Sequence, residues 1–382
     1  MANTLTDLIP TIYTALDVVS RELVGFIPNV AINAASSSAA VGQTINAHVV
    51  PQGTLEDITP GVNPADSGDV EPGITSVTIT KSKAYPIRWN GEEQLALGAN
   101  GQYNLILADQ FAQAFRTLTN AVEADLAGLY TSAARATGTA GTTPFSSVDD
   151  HSDWANANMI LDQLGAPQVG RVMIVGHAAR AKIEGVQSGL FKVNEAGDQG
   201  AMLRMRQSRE LHGFTMGYSS GIKSHTKGSG AGWLTNSLSG YNAGDSSIAL
   251  DTGTGTVLAG DVVTFAGDAT KYVVKTALSA GTLALNSPGL AFSLADNKAL
   301  TTENNYTANL FFHRSAMLLA ARAPAMPVGG DSADDVMQVT DPISGLTFQV
   351  AMYRQYRQVK YEIGLAWGVA APNGKHMGIL LG

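Results

Sequence analysis

Three groupings in the sequence hold residue types that could do chemistry. Gly217-Tyr218-Ser219-Ser220-Gly221 matches G-x-S-x-G, the pattern in which a sharp strand-to-helix turn presents a serine nucleophile. After Ser219 the chain runs into Lys223-Ser224-His225-Thr226-Lys227-Gly228, which reads as a loop instead of the required helix. With 41 glycines in 382 residues, a chance match is easy. Asp149-Asp150-His151-Ser152-Asp153 gathers oxygen and nitrogen ligands. It stands just before a helical pattern, where acids and serine cap free N–H groups and meet the positive end of the helix dipole, so it is read as a cap. The other histidines fall at no i, i+4 zinc spacing. Gly228, Gly230 and Gly232 complete neither phosphate-binding pattern, and Gly374-Lys375 lacks the preceding glycine a phosphate loop needs. Arg204, Arg206 and Arg209 form a small basic cluster with no interleaved aromatics, read as a surface ion-pair face. No catalytic, cofactor-binding or metal-binding residue is assigned, and the expectation is a protein that is not an enzyme.

Composition narrows the classes further. There is no cysteine, which removes thiol nucleophiles, thiolate metal sites and disulfides. Twenty-four Lys+Arg against 32 Asp+Glu give a net charge of −8, the wrong sign for a general nucleic-acid binder. At 45% hydrophobic the chain is too apolar to be disordered. Only 15% of residues are charged, against a typical ~25%, which suits a surface hidden against copies of itself. The longest stretch free of charged residues, Leu23 to Leu55, is broken by Pro28, Ser36-Ser37-Ser38 and Gln43. It lacks the ~20 continuous apolar residues of a membrane span. Met1 to Pro10 carries Asp7 and no Lys or Arg ahead of an apolar stretch, so no signal peptide is read. The expected location is the cytoplasm in which the chain is made.

The elements that would position such residues follow from periodicity. Leu8, Ile12, Leu16, Val19 and Leu23 share one helical face that Gly25 ends, which reads as an N-terminal arm. Residues 51–73 hold four prolines, four glycines and five acids with no base; Gln43–Val50 and Ile74–Ile79 flank them as strands. A connection this long is functional or disordered, and here reads as a two-stranded excursion with a stiff acidic tip. Leu107, Phe111, Phe115, Leu118, Val122, Leu126, Leu129 and Ala133 step along one face and predict a helix over Tyr103 to Arg135. Asp153–Leu164 (helix), Arg171–Val175 (buried strand) and a helix from Ala178 form an α/β unit. Alternating runs at Ser247–Leu250, Asp261–Phe265, Tyr272–Thr276 and Thr282–Leu285 predict a small all-β barrel or sandwich over 226–305, with Val257, Val263, Phe265, Val273 and Leu283 facing inward. Ala308–Phe312 resumes a strand and Ser315–Ala321 reads as a helix. Thr347–Tyr353, Gln358–Trp367 and His376–Leu380 are strands.

Several segments resemble the major capsid (coat) proteins of tailed double-stranded-DNA phages, specifically the P-twenty-two-like coat family of the Hong-Kong-ninety-seven capsid fold. They are the opening Met1-Ala2-Asn3-Thr4-Leu5 together with Leu16 to Pro28, Ala40-Val41-Gly42-Gln43-Thr44, Glu56-Asp57-Ile58-Thr59-Pro60-Gly61, Arg88-Trp89-Asn90-Gly91-Glu92-Glu93-Gln94, Ile106-Leu107-Ala108-Asp109-Gln110-Phe111, and Gly260 to Gly267. The match is specific in the first 140 residues and looser beyond.

The resemblance implies an α+β fold. Residues 1–30 would be an N-terminal arm. Residues 31–140 would be a peripheral domain, with an extended loop at about 51–75 and a spine helix at about 103–135. An axial domain would take 141–225 and 306–330, interrupted by an inserted β-barrel at 226–305, and residues 331–382 would complete the peripheral domain. It further implies self-assembly as pentamers and hexamers into an icosahedral shell enclosing DNA, separate scaffolding and portal proteins, no cofactor and no membrane partner. The expected location of the mature product is the virion. Glu56 and Asp57 would meet Arg354, Arg357 and Lys360 of a neighbouring subunit. Two alternatives stay open: a non-viral nanocompartment shell of the same fold, and a serine hydrolase using Ser219.

Overall fold

The computed structural model describes residues 12–16, 25–34, 38–49, 60, 73–98, 103–187, 210–341 and 344–382. Of the expected arm helix, residues 12–16 are helical, with Ile12 and Leu16 buried. The acidic tip with Glu56 and Asp57, and the cluster Arg204, Arg206 and Arg209, lie outside the described residues.

The chain order is β1 (Ala31–Ala34), β2 (Thr44–Val49), β3 (Gly73–Thr78), β4 (Lys81–Asn90), helix α1 (Gly91–Gly98), helix α2 (Tyr103–Ala127) and β5 (Arg135–Gly138). Then come α3 (Ser152–Gln163), β6 (Arg171–Val175), α4 (His177–Val186), β7 (Glu210–Leu211), β8 (Phe214–Tyr218) and β9 (Ser224–His225). Next are β10 (Leu234–Thr235), β11 (Ser247–Asp251), β12 (Val262–Phe265), β13 (Asp268–Ser279), β14 (Thr282–Leu285) and β15 (Leu300–Thr302). The last are β16 (Tyr306–His313), β17 (Leu318–Arg322), β18 (Asp335–Thr340), β19 (Thr347–Gln355), β20 (Gln358–Ala370) and β21 (Met377–Leu381). The class is α+β.

Two sheets organise these elements. The first is built on β20, thirteen residues long, which pairs with β4 on one side and with β19 and then β17 on the other. β1 adds in parallel to β17, and β18 to β19. Helix α2 lies across this sheet because its apolar stripe faces it: Phe115 meets Phe348 edge-on at 5.0 Å, and Phe111 meets Tyr361 at 5.7 Å. Leu107, Phe111, Phe115, Leu118, Val122 and Leu126 are all buried. The second sheet runs β5-β21-β16-β6-β8-β7, with α3 and α4 supplying Trp154, Leu161 and Ile183 to its core.

β2 and β3 form a separate two-stranded ribbon in full register from Thr44↔Thr78 to Val49↔Gly73. Among the described residues it is anchored at its base, through buried Val77 and Ile79 packed on Ala39, Ala320 and Ala366.

The strands between 226 and 305 close on themselves. Pairing runs β10-β11-β14-β13-β12-β15, and the Leu234↔Ala299 bridge with the Leu300 N–H to Trp233 O bond returns it to β10. Val257, Val263, Phe265 and Leu283 fill this ring's own core. Val273 does not; its strand neighbours Tyr272 and Val274 face the ring's core, so alternation turns Val273, with its cross-strand partner Val262, into the core under α2. The entry and exit of the segment meet at Tyr306↔His225 and Thr307↔Ser224.

Three expectations need correction. Helix α2 stops at Ala127, not Arg135: Gly128–Ser132 tightens into a 3₁₀ turn, Ala133 is extended, and β5 begins at Arg135. Apolar spacing survives this change of structure because the turn still points Leu129 toward the core. Ser315–Ala321 is not a helix: a short 3₁₀ turn, Arg314–Ala316, leads into strand β17. Its run Leu319-Ala320-Ala321 is buried between β1 and β20, and a strand paired on both sides needs no alternation. The boundaries at 306–330 and 331–382 also do not follow the sheets. β16 lies in the second sheet and β17 in the first, while β21 leaves the C-terminal strands to pair between β5 and β16.

Phe115 is fully buried against Phe348. Phe115→Ala is expected to cost ~3–5 kcal/mol. A denaturant melt of the soluble fraction, with its yield, measures this; a wild-type melt would show that the face is not load-carrying.

Candidate assembly surfaces and the buried ties behind them

The hairpin of β19 and β20 carries the three cations singled out in the sequence. Its turn is Tyr356-Arg357, set by the Gln355↔Gln358 pair, with Arg357 at φ +55. Tyr356 is 91% exposed at the tip, and Gly91 N–H donates to Arg357 O at 3.1 Å, tying the tip to the start of α1. Arg354 is already matched by Asp334, whose Oδ2 accepts from the Arg354 N–H at 2.8 Å and lies 3.6 Å from Nε. Lys360 pairs with Glu362 and sits over the Tyr353 ring. The structure therefore brings Arg354, Arg357 and Lys360 together, but two of the three are neutralised within the subunit. The local positive excess reduces to Arg357.

Ser219 ends strand β8 and is buried. Its hydroxyl accepts from Gly221 N–H at 3.0 Å and also bonds the carboxylate of Glu123. It lines a recess of about 180 Å³ with His177 and Asn309. No helix follows, since the chain turns into β9. The Gly221 amide and the buried Glu123 carboxylate are the partners of this hydroxyl.

Glu123, near the C-terminal end of α2, is the tie that sequence reading missed. One carboxylate oxygen accepts from Gly25 N–H at 2.7 Å and Phe26 N–H at 2.8 Å, and the other from Ile27 N–H at 3.2 Å. These amides open the 3₁₀ turn Ile27–Asn29, so one acid holds the end of the arm, the long helix and the loop after β8. Gly25 is needed for this approach: a Cβ there would lie 2.8 Å from Tyr218 O. Burial raises the Glu123 pKa, and the Phe26 amide, the Ser219 hydroxyl and the Gly25 and Ile27 amides pull it only part of the way back. The available signal was a carboxylate four residues after Thr119 on the apolar side of the helix, where a charge demands a partner.

A second buried knot sits where the β-ring joins the rest. Asp261, fully buried, accepts from His225 Nε2 at 2.7 Å, from Leu258 N–H at 2.7 Å and from Gly228 N–H. His225 Nδ1 meets Tyr130 OH at 2.9 Å, and the Tyr306 hydroxyl donates to Gly260 O. Burial, and then the Asp261 charge, raise the Tyr130 pKa.

No family model matches the chain, and no curated protein matches it in sequence. Among solved structures it is similar to the capsid of bacteriophage PhiM1 in its mature form, at 9% identity and a TM-score of 0.47, over 93% of this chain and 86% of that one. It is similar to the capsid of the cyanophage P-SCSP1u at 10% identity and a TM-score of 0.46, over 92% and 86%. A virus-like particle from Pyrococcus furiosus is similar at 9% identity and a TM-score of 0.45, over 98% and 99%.

Two outcomes follow for Glu123. Glu123→Ala leaves three amides without their acceptor, at ~1–3 kcal/mol for each unsatisfied group, and is expected to lower the melting temperature more than Ser219→Ala does. The raised pKa means that the folded chain keeps this proton to higher pH than the unfolded one. Its contribution is thus present at low pH and lost as pH rises through the folded value. Glu123→Gln, which cannot ionise, should gain on wild type between pH 4.5 and pH 8 in paired thermal melts. A difference that falls with pH would show that the amides outweigh burial.

Proposed function

We propose that this chain is a structural shell subunit, a major capsid protein whose copies assemble into a closed icosahedral particle around double-stranded DNA. The observation that carries it is the β2–β3 ribbon. Among the described residues it pairs with no other strand and is anchored at its base. A lone two-stranded hairpin is at best marginally stable in water, so this one needs a surface outside its own subunit. Large apolar side chains standing in solvent, Leu95 and Leu105 beside the long helix and Tyr356 at the hairpin tip, point the same way.

The order of pieces supports the same reading: arm end, ribbon, long helix on a sheet, second sheet, inserted β-ring. In it, 226–305 is the inserted domain, the β6–β8 sheet with α3 and α4 is the axial unit, and the sheet on β20 with α2 is the peripheral unit. In this reading the role is structural, and the serine of the hydrolase-like pattern serves to hold Glu123. A net charge of −8 favours holding DNA by enclosure rather than by grip. Pentamers and hexamers assembled in the host cytoplasm, separate scaffolding and portal proteins, and the virion as final location belong to this reading.

Negative-stain imaging and sedimentation of the purified chain test it, with closed particles expected. Tyr356→Ser is expected to melt like wild type and to give fewer particles. Glu56 and Asp57 are assigned to the neighbour's Arg357. Arg357→Glu should impair assembly, and Glu56→Lys with Asp57→Lys in the same chain should restore part of it. One exposed pair is worth only ~0–1 kcal/mol, but it repeats in every subunit. Normal particle yield from Arg357→Glu would remove this pairing while leaving the shell reading in place.

A further inference from the structure

The histidine in the acidic cap of α3 acquires a partner that no sequence spacing announces. His212, in the tight turn between β7 and β8, places its Nε2 3.1 Å from the Nδ1 of His151, 61 positions earlier in the chain. Both backbones are held. His151 O accepts from Ala155 N–H in the first turn of α3. His212 sits at φ +50, and its carbonyl accepts from the Asn158 side chain at 2.8 Å. The indole of Trp154 stacks on the His212 ring at a 5.2 Å centroid distance and tilts against His151 at 5.6 Å. Asp150, fully exposed, neighbours the pair and interacts with the His151 charge.

We propose that His151 and His212 form a surface site for a borderline divalent transition metal, Zn²⁺, Ni²⁺ or Cu²⁺, with water completing the coordination. The separation is what such an ion requires. Two imidazole nitrogens at ~2.0–2.1 Å from a metal and 3.1 Å from each other subtend about 98° at the ion, between octahedral and tetrahedral angles. Taking up the ion moves the proton on the N···N line to the other nitrogen of the ring that carries it, so both facing nitrogens offer lone pairs and neither imidazole is deprotonated. Each ring turns about 40° to aim its lone pair off that line, while the two fixed backbones keep the nitrogens within reach. Imidazole suits these ions, whereas Mg²⁺ and Ca²⁺ take oxygen ligands. Among the described residues no group of three or more protein ligands converges, so the affinity is that of a two-imidazole site. The acids beside it, Asp149, Asp150 and Asp153, supply charge of the right sign. The other close histidine pair, His313 and His376, is not built this way: both His313 nitrogens are taken, by Ser315 and by Val169 O.

The site bridges the α3 N-terminus to the β7–β8 turn, and it is independent of the shell reading. The test uses the full chain without a histidine tag. Zn²⁺ is titrated in competition with a chromophoric chelator at pH 7.5, and Ni²⁺ titration is followed by Trp154 fluorescence. One ion per subunit is expected, with Ni²⁺ quenching tryptophan emission. His151→Asn and His212→Asn keep a capping residue and a residue that accepts positive φ. Each should weaken Zn²⁺ binding at least ten-fold and abolish the quench, while His313→Asn changes neither. Circular dichroism confirms that the variants are folded. Unchanged Zn²⁺ affinity in either variant, or wild-type binding no tighter than that of the His151→Asn/His212→Asn double variant, would show a ring-to-ring hydrogen bond only and overturn the proposal.

Discussion

The whole arrangement turns on one desolvated carboxylate. Glu123 lies on the buried side of the long helix, where an unpaired charge would be prohibitive. Its cost is offset in part by three successive amides at residues 25–27 and by the Ser219 hydroxyl. Because these donors come from two other segments, satisfying the acid fixes both against the helix. Asp125, two residues on, does the same for the first sheet: its two oxygens accept from Lys81 Nζ at 2.7 Å and Trp367 Nε1 at 2.8 Å. Successive acids at 123 and 125 therefore couple the helix to the β8 loop in one direction and to β4 and β20 in the other.

Much of the scaffold was legible because burial imposes a period. The residues from Leu107 to Leu126 that step by three and four are the ones found buried under the first sheet. The strands of the 226–305 segment alternate because one face of each lines a small core. Legibility failed where a strand is covered on both sides. Leu318-Leu319-Ala320-Ala321 carries good helix formers, and nothing local records that β1 and β20 flank it. It failed again at Val273, where Tyr272-Val273-Val274 is apolar throughout and nothing local shows that 272 and 274, not 273, face the ring.

The polar features were less readable than the apolar ones. Three ties of charged residues join positions far apart in the chain: Glu123 with 25–27, His225 with Asp261, Arg322 with Asn33. Residue type signals the need for a partner; only the fold supplies it. The cations of the last hairpin illustrate the reverse error. Arg354 and Lys360 look unmatched in sequence because their acids, Asp334 and Glu362, arrive from across the sheet and from two positions along the strand.

The position of β21 has a consequence for synthesis. This strand fills the slot between β5, to which it runs parallel, and β16, and it is the last strand of that sheet to be translated. Until 377–381 leaves the ribosome, the sheet exists as two halves with open edges, β5 with the ring on one side and β16, β6 and β8 on the other. From the end of β16 at 313 to 381 the interval is on the order of 3 to 14 s at ~5–20 residues per second. The 226–305 ring, by contrast, holds all its strands before β16 begins and can close while the remainder waits. A nascent chain therefore completes the surface between these halves only after nearly every other strand is in place. Any surface that depends on the finished sheet is therefore delayed until β21 has been made.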